Sequence, residues 1–471
     1  MRIIYVLLLC SLWMGCSKEK FLDEKPNQAL LVPQTLEELQ AILDNTALFN
    51  GIAGALTTTG ITPLLGQTAS DEYFVGRPTA YVSSSNTYMK ATYTWDKKDV
   101  YAGYETIVDW TKPYNSILSA NICLEQLSKL SMSDQNSLLG REVRGTALFH
   151  RAHLYFQLAQ VFAPVYSKEY SSQKNGLPIR LRGDINEGVV RTTLSDTYVQ
   201  ILNDLLEALK YLPANALYTT RPNIAAAKAL LARVYLSMSD YPQALIYANK
   251  ALEIKSKLMD YNSLDLTKAF PIHKDNDEVI FSSLMIVGGV VNTAFSPSYA
   301  SVDSNIVNSY ENGDLRKSVF LKKRTPANSI GMEFKGSYFG DSYCFSGLAT
   351  DELYLIKAEC LARSGRTEDA CVALNTLLKN RFDPLKFDPL DERDPDKLLK
   401  IVLDERRKEL LFRGLRWTDL RRLNLDPRFA VTLKRNIGEE EFELPPNDVR
   451  YTYPIPADVM GFHPEMFQNP R

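Results

Sequence analysis

Between residues 224 and 254, small and large apolar side chains alternate at a spacing that few folds can use. Leu231, Ala232 and Tyr235 are followed by Tyr241, Ala244 and Ala251. At about 3.6 residues per turn, this places alanines on two consecutive helices where the axes must approach closely. That is the spacing of a tetratricopeptide repeat. A second copy runs over residues 351–381, with Ala358, Gly365 and Ala370 in the corresponding places, and residues 148–165 supply one helix of another. One such pair cannot bury its apolar face alone, so repeats stack into a scaffold. The predicted fold class is therefore mostly α: a tetratricopeptide-like helical-repeat scaffold with long irregular loops and a few short strands.

Other helices flank these units. Thr35 and Glu38 form a capping box ahead of a buried stripe of Leu36, Leu39, Ile42 and Leu43. A helical pattern over residues 100–130 is interrupted at Pro113, and one over residues 138–162 stops before Pro164. Tyr198, Ile201, Leu202, Leu205, Leu206 and Leu209 mark an amphipathic helix ended by Pro213. The last helix starts with Asp394 as N-cap and Pro395 in its first turn, and is expected to end near Gly414. Two stretches keep no period, residues 57–95 and 270–350. Long irregular stretches inside a compact domain are often binding loops.

The start of the chain sets its compartment. Arg2 precedes a short apolar run that ends in Gly15-Cys16, the pattern of a lipoprotein signal whose Cys16 is diacylated before cleavage. Trp13 stands three residues before the Cys, where Leu, Ile or Val is usual. The run is shorter than the ~20 residues needed to span a bilayer. The most apolar internal run, residues 279–295, is broken by Ser282, Ser283, Gly288 and Gly289 and reads as a buried strand entering a turn. A formal net charge of −2 without a Lys/Arg block argues against nucleic acid as a partner. Cys123, Cys344, Cys360 and Cys371 show no metal-ligand spacing, so buried free thiols are expected; a Cys360–Cys371 disulfide is the alternative in an exported protein.

Four stretches together resemble the SusD/RagB family of surface nutrient-binding lipoproteins. They are Cys16 followed by FLDEKP at 21–26, RAHLYFQL at 151–158 with APV at 163–165, ERRKEL at 405–410 with RGLRWTDLRR at 413–422, and YPIP at 453–456 with QNP at 468–470. The resemblance implies an outer-membrane, cell-surface lipoprotein anchored through Cys16. Residues 1–15 would be the signal, 16–215 an N-terminal SusD-like region and 216–471 a C-terminal region, intertwined as one globular domain. It further implies a SusC-like TonB-dependent β-barrel transporter as partner, faced by the helical repeats, and a glycan ligand held by loops on the opposite side. In the RagB-like branch the ligand is an oligopeptide. No chemistry is done and no cofactor is implied.

Enzyme signatures are lacking: there is no G-x-S-x-G and no H-E-x-x-H, and the G-x-x-x-x-G outline at residues 331–336 has no Lys after it. His150 and His153 share a helix face without an acidic partner nearby, so packing is expected and no metal. The Arg/Asp/Trp cluster at residues 413–422 reads as structural, with Asp419 pairing to an Arg one turn away and Trp417 buried. Sugars are held by flat rings under their CH-rich faces, with Asp, Asn and Arg fixing hydroxyls. On that chemistry the main ligand-site candidates are Asp71, Tyr73, Arg77, Tyr81 and Trp95. Tyr338, Asp341 and Tyr343 form a second group, which the family resemblance implies from the loops before the last repeat. A glycan site predicts a solvent-facing aromatic platform, whereas a peptide site predicts a cleft or an exposed strand edge.

Overall fold

The computed structural model describes residues 33–52, 60–77, 82, 87–184, 188, 190–286, 300–324, 330–336 and 338–471. Ten of its helices have eight residues or more: α1 (Leu36–Leu43), α2 (Val108–Lys129), α3 (Leu138–Phe162), α4 (Leu194–Ala208), α5 (Ile224–Ser237), α6 (Tyr241–Leu252), α7 (Thr350–Arg363), α8 (Thr367–Leu378), α9 (Pro395–Glu409) and α10 (Arg416–Leu423). The strands are short: β1 (Tyr73–Val75), β2 (Asn175–Pro178), β3 (Arg191–Thr193), β4 (Val279–Phe281), β5 (Ala300–Val302), β6 (Leu321–Lys323), β7 (Met332–Phe334), β8 (Leu348–Ala349), β9 (Leu433–Ile437) and β10 (Glu440–Leu444). Among the described residues no helix is long and apolar enough to cross a membrane.

The helices pack in one continuous series. α3 lies against α1, α2 and α4; α4 meets α5, α5 meets α6, α6 meets α7, and α7 packs on both α8 and α9. Ala232, Ala244, Ala251, Ala358 and Ala370 are fully buried where the sequence placed the close approaches, and a larger side chain at one of them costs roughly 1–3 kcal/mol in overpacking. α1 starts on its capping box: the Glu38 N–H donates to Thr35 Oγ1 at 3.2 Å and the Thr35 N–H donates to Glu38 Oε2 at 3.1 Å.

From Gly145 to Phe162 every residue of α3 is buried, the polar His150, Arg151, His153, Gln157 and Gln160 included. Arg151, Gln157 and Gln160 find partners inside the fold. Arg151 forks onto Asp204 with two bonds of 2.7 Å and reaches Asn121 Oδ1 at 2.9 Å. His150 stacks on Phe49 with ring centroids 4.4 Å apart. Burial above all pushes the His150 and His153 imidazoles down to about 3, with the Arg233 charge adding to it at His153, so both are neutral packing groups. Among the described residues the four cysteines, Cys123, Cys344, Cys360 and Cys371, are free and buried.

The Arg/Asp/Trp cluster is a buried ionic brace. Arg422 forks onto Glu359 at 2.6 and 2.8 Å, and Asp419 is held by Arg406 and Arg422, each at 2.8 Å. Burial opposes the Asp419 charge, but the two guanidiniums keep its carboxyl below the usual range. Trp417 is 2% exposed and stacks on Tyr451 at 4.7 Å.

Two helix boundaries differ from the sequence reading. Pro113 does not interrupt a helix, because α2 begins only at Val108 and runs through it. Near a helix start, Pro forfeits a single backbone bond, and Pro113 is buried, which offsets part of that cost. The helix begun by Asp394 ends at Glu409, and α10 follows as a separate element. Gly414, at φ +73°, lies in the bend between them.

The two non-periodic stretches meet in a four-stranded sheet of order β1-β5-β7-β6. Tyr73 pairs with Val302 and Val75 with Ala300, while Leu321 pairs with Phe334 and Lys323 with Met332, all antiparallel.

Candidate ligand-binding site

β1 follows Asp71, and the strand fixes where the first candidate group can point. Asp71 faces α9 and α10. Arg416 donates to its two carboxylate oxygens at 2.6 and 2.8 Å, and Arg407 donates at 3.0 Å. Burial works against the charge, yet Arg416 and Arg407 hold the Asp71 carboxyl well below the usual carboxylate range. Arg407 also approaches Asp303, at the end of β5, at 3.4 Å. The next residue, Glu72, is buried, accepts from Gln67 at 2.6 Å and is pushed up to about 7, chiefly by burial.

The aromatic residues of this stretch turn inward. Trp95 is only 2% exposed, and its indole N–H donates to the Ala69 carbonyl at 3.0 Å. Arg435, on β9, lies over the Tyr93, Trp95 and Tyr73 rings at 3.9, 4.3 and 5.3 Å from their centroids. Its guanidinium donates to the carbonyls of Thr68, Ser70 and Tyr93, so a buried cation is caged by three rings and three carbonyls. The expected solvent-facing platform of Tyr73 and Trp95 is thus corrected: these rings seal Arg435. A concavity of about 270 Å³ does bring Asp71, Tyr73 and Trp95 together with Phe74, Asp303 and Asn436.

The second candidate group lies elsewhere and does not line that concavity. Tyr338 is buried, and its correction is the same in kind. Its hydroxyl faces Glu278 and Asp351, and Arg413 stacks on its ring at 4.5 Å. Glu278, Asp351 and Glu409 bring carboxylate oxygens within 4.8 Å of one another. Arg381 donates into this cluster, to Glu278 and to Glu409, at 2.8 Å each, and takes the place a cation would fill. Asp341 and Tyr343 are half-buried partners in one turn, with the Tyr343 N–H donating to Asp341 Oδ1 at 2.7 Å. Arg77 is half-buried at the end of β1, and among the described residues its guanidinium has no hydrogen bond or ion pair. Tyr81 lies outside the described residues.

Sequence reasoning missed Arg435, Asp303 and Arg407, which complete the site from segments far along the chain. One signal was available for Arg435: it alternates inward with Leu433 along β9, an odd position for a lone cation.

A larger cavity, of about 500 Å³, is lined by Pro164, Tyr170, Arg421, Asn424, Tyr451 and Asn469 among others. Its walls come from the APV, DLRR and QNP stretches, and several side chains there already have partners. Asn469 donates to the carbonyls of Phe162 and Tyr453 at 2.7 and 2.8 Å. Among the described residues Arg421 has no carboxylate partner; it donates to the carbonyls of Gln160 and Ala163, at the negative end of the α3 dipole, and burial lowers it to about 10.

Comparison with known proteins fits this architecture. Residues 20–236 match a family described as starch-binding and associating with the outer membrane, and residues 350–471 match the SusD family. The chain belongs to the SusD family. A SusD superfamily protein of Bacteroides thetaiotaomicron superimposes with a TM-score of 0.74 at 19% identity, covering 93% of this chain and 100% of that one. A SusD-like carbohydrate binding protein of Bacteroides vulgatus gives 0.68 at 19% identity, covering 91% and 96%. The SusD-like protein P2 of Formosa agariphila is 22% identical over 488 residues, 90% of each chain. In this SusD-family protein the matched regions contribute Asp71, Trp95, Arg407, Arg416 and Arg435, while the segment between them, 237–349, supplies Ser301, Asp303, Arg324 and Tyr338.

Proposed function

We propose that this protein is a non-catalytic surface lipoprotein. Anchored through lipid on Cys16, it captures oligosaccharides at the outer membrane and delivers them to a SusC-like TonB-dependent barrel. The observation that carries the reading is the family match over residues 20–236, whose description is starch binding in association with the outer membrane. Solved relatives described as carbohydrate binding share the whole fold, which supports the same class of ligand. The helical series offers a long rigid flank for the barrel. The ligand would be met by the loops around β1 and β5, opposite in character: irregular, and rich in Thr, Ser, Asn and Tyr.

Capture of oligopeptides by the same scaffold has less behind it. Strand addition needs a free edge, and the Val75 N–H of edge strand β1 is already taken by the Tyr93 hydroxyl at 3.1 Å. Native affinity electrophoresis through gels containing starch and other soluble polysaccharides tests the reading. Retardation by at least one polysaccharide is expected. Unchanged mobility in all of them, with a peptide library giving binding, would overturn it.

A further inference from the structure

The described ends of three chain segments converge beside β1. The Ile330 N–H donates to the Gly76 carbonyl at 3.3 Å. Arg324 Nε donates to Ser301 Oγ at 2.8 Å and its Nη2 to the Ala300 carbonyl, while Ser301 Oγ donates to the Ile330 carbonyl. The approach is close: a Cβ on Gly76 would fall 2.1 Å from Ser301 Oγ. Arg77, Ser301, Arg324 and Ile330, from three separate stretches of sequence, therefore share one spot at the sheet.

The charge there is one-sided. Arg77 lies close to Arg324, and β6, at the far edge of the same sheet, carries the exposed Lys322 and Lys323 on its two faces. Glu333 is the acid on the neighbouring strand, and it pairs with Lys322 at 3.1 Å. Asp303, at the end of β5, caps the helix that follows and approaches Arg407. The segments that leave this spot, residues 78–86, 287–299 and 325–329, contain no Asp or Glu at all. A chain of net charge −2 thus brings two arginines together here, and among the described residues Arg77 has no ion pair. Arg324 feels this: burial first, and then the Arg77 charge, lower its pKa, with Glu333 pulling the other way. Other half-buried arginines have partners, carboxylates for Arg416 and Arg407 and backbone carbonyls for Arg191.

We propose that this spot recognises anionic glycans, with Arg77 pairing to a uronate carboxylate or a sulfate ester of the sugar. The proposal rests on the carbohydrate-binding reading above and narrows it. A guanidinium offers two parallel N–H donors that match either anion, and a half-buried position strengthens the pair relative to bulk water. Arg324, fixed by Ser301 and Ala300, forms the positive wall behind Arg77. Lys322 and Lys323 draw the anion in from a distance, so binding weakens as salt is raised.

The full mature protein is screened on an array of neutral, carboxylated and sulfated oligosaccharides. Titrations then use tetragalacturonate, a sulfated carrageenan oligosaccharide and neutral galactotetraose. Binding to one of the two anionic probes is expected, and the one bound identifies the anion. Arg77→Gln should weaken it about tenfold or more, one charged bond's worth, with an unchanged melting temperature. The distant surface variant Arg393→Gln should bind as wild type. Equal affinity of wild type and Arg77→Gln for neutral glycans, with no anionic hit, overturns this inference and leaves the carbohydrate reading standing. No glycan hit of any kind overturns both.

Discussion

Replacing Trp95 by Ala should unfold the protein more readily and should not act on ligand binding directly. The ring is 2% exposed and lies beneath Arg435. Truncating a buried Trp costs about 3–5 kcal/mol in lost packing and residual cavity. The lost indole bond to Ala69 adds about 1 kcal/mol, and the desolvated cation–π contact is worth up to ~2 kcal/mol. These contributions overlap, so ~5 kcal/mol is a fair total. A chain of 471 residues carries an unfolding entropy of ~1 kcal/mol per degree at about 2.1 cal/mol/K per residue. A single cooperative transition should therefore fall by about 5 °C. Trp95→Phe keeps a ring under the guanidinium and loses the N–H, so it should fall by no more than about half as much. Differential scanning calorimetry on both variants, with glycan titration on the same samples, reads the result. A Trp95→Ala melting point within about 1 °C of wild type, together with lost glycan binding, would refute the burial argument and restore the ring as a ligand platform.

Fatty-acid labelling of cells should tag the wild-type protein and not Cys16→Ser; equal labelling of both would count against lipidation. Mild-detergent pull-down at native expression should recover a large TonB-dependent barrel, and repeated recovery of the protein alone would argue against the delivery role. Asp71→Asn leaves Arg416 half-buried without its counter-charge and Arg407 with Asp303 alone, and should cost on the order of 3 kcal/mol, seen as a shifted urea midpoint at constant m-value. Glu72 gives a pH signature. Its carboxyl is pushed from 4.5 up to about 7 in the fold, so the protonated form is favoured there. Its contribution is complete below about pH 4.5 and is lost as pH rises through about 7, a change of ~3 kcal/mol. Melts at pH 5 and pH 8 should show Glu72→Gln gaining on wild type at the higher pH; a constant difference between the two would refute the assignment.

The scaffold was legible because its signals are local and periodic. The alanines at 232, 244, 251, 358 and 370 report helix approach through size alone, and all are buried. The capping box at Thr35 and the N-cap at Asp394 are likewise short-range chemistry, and both form. The Arg/Asp/Trp cluster was read correctly as structural because Asp419 and Arg422 are one turn apart, even though the second partners, Glu359 and Arg406, lie on other helices. The site was not legible in the same way. Residues 57–95 carry no period, and without a period nothing in the sequence says which rings face inward. Exposure was assigned to Tyr73 and Trp95 by default, since no partner for them stood nearby. The partner exists, but it is Arg435, more than three hundred residues away and brought in by a β-strand. Arg77 shows the converse. Among the described residues it has no ion pair, which can be seen only once the β5 and β7 segments are brought near it, because what sets it apart is the company that Ser301, Arg324 and Ile330 keep with Gly76. A ligand site assembled from loops is defined by such long-range absences of pairing. It therefore becomes readable only after the fold has decided which charges are already spent.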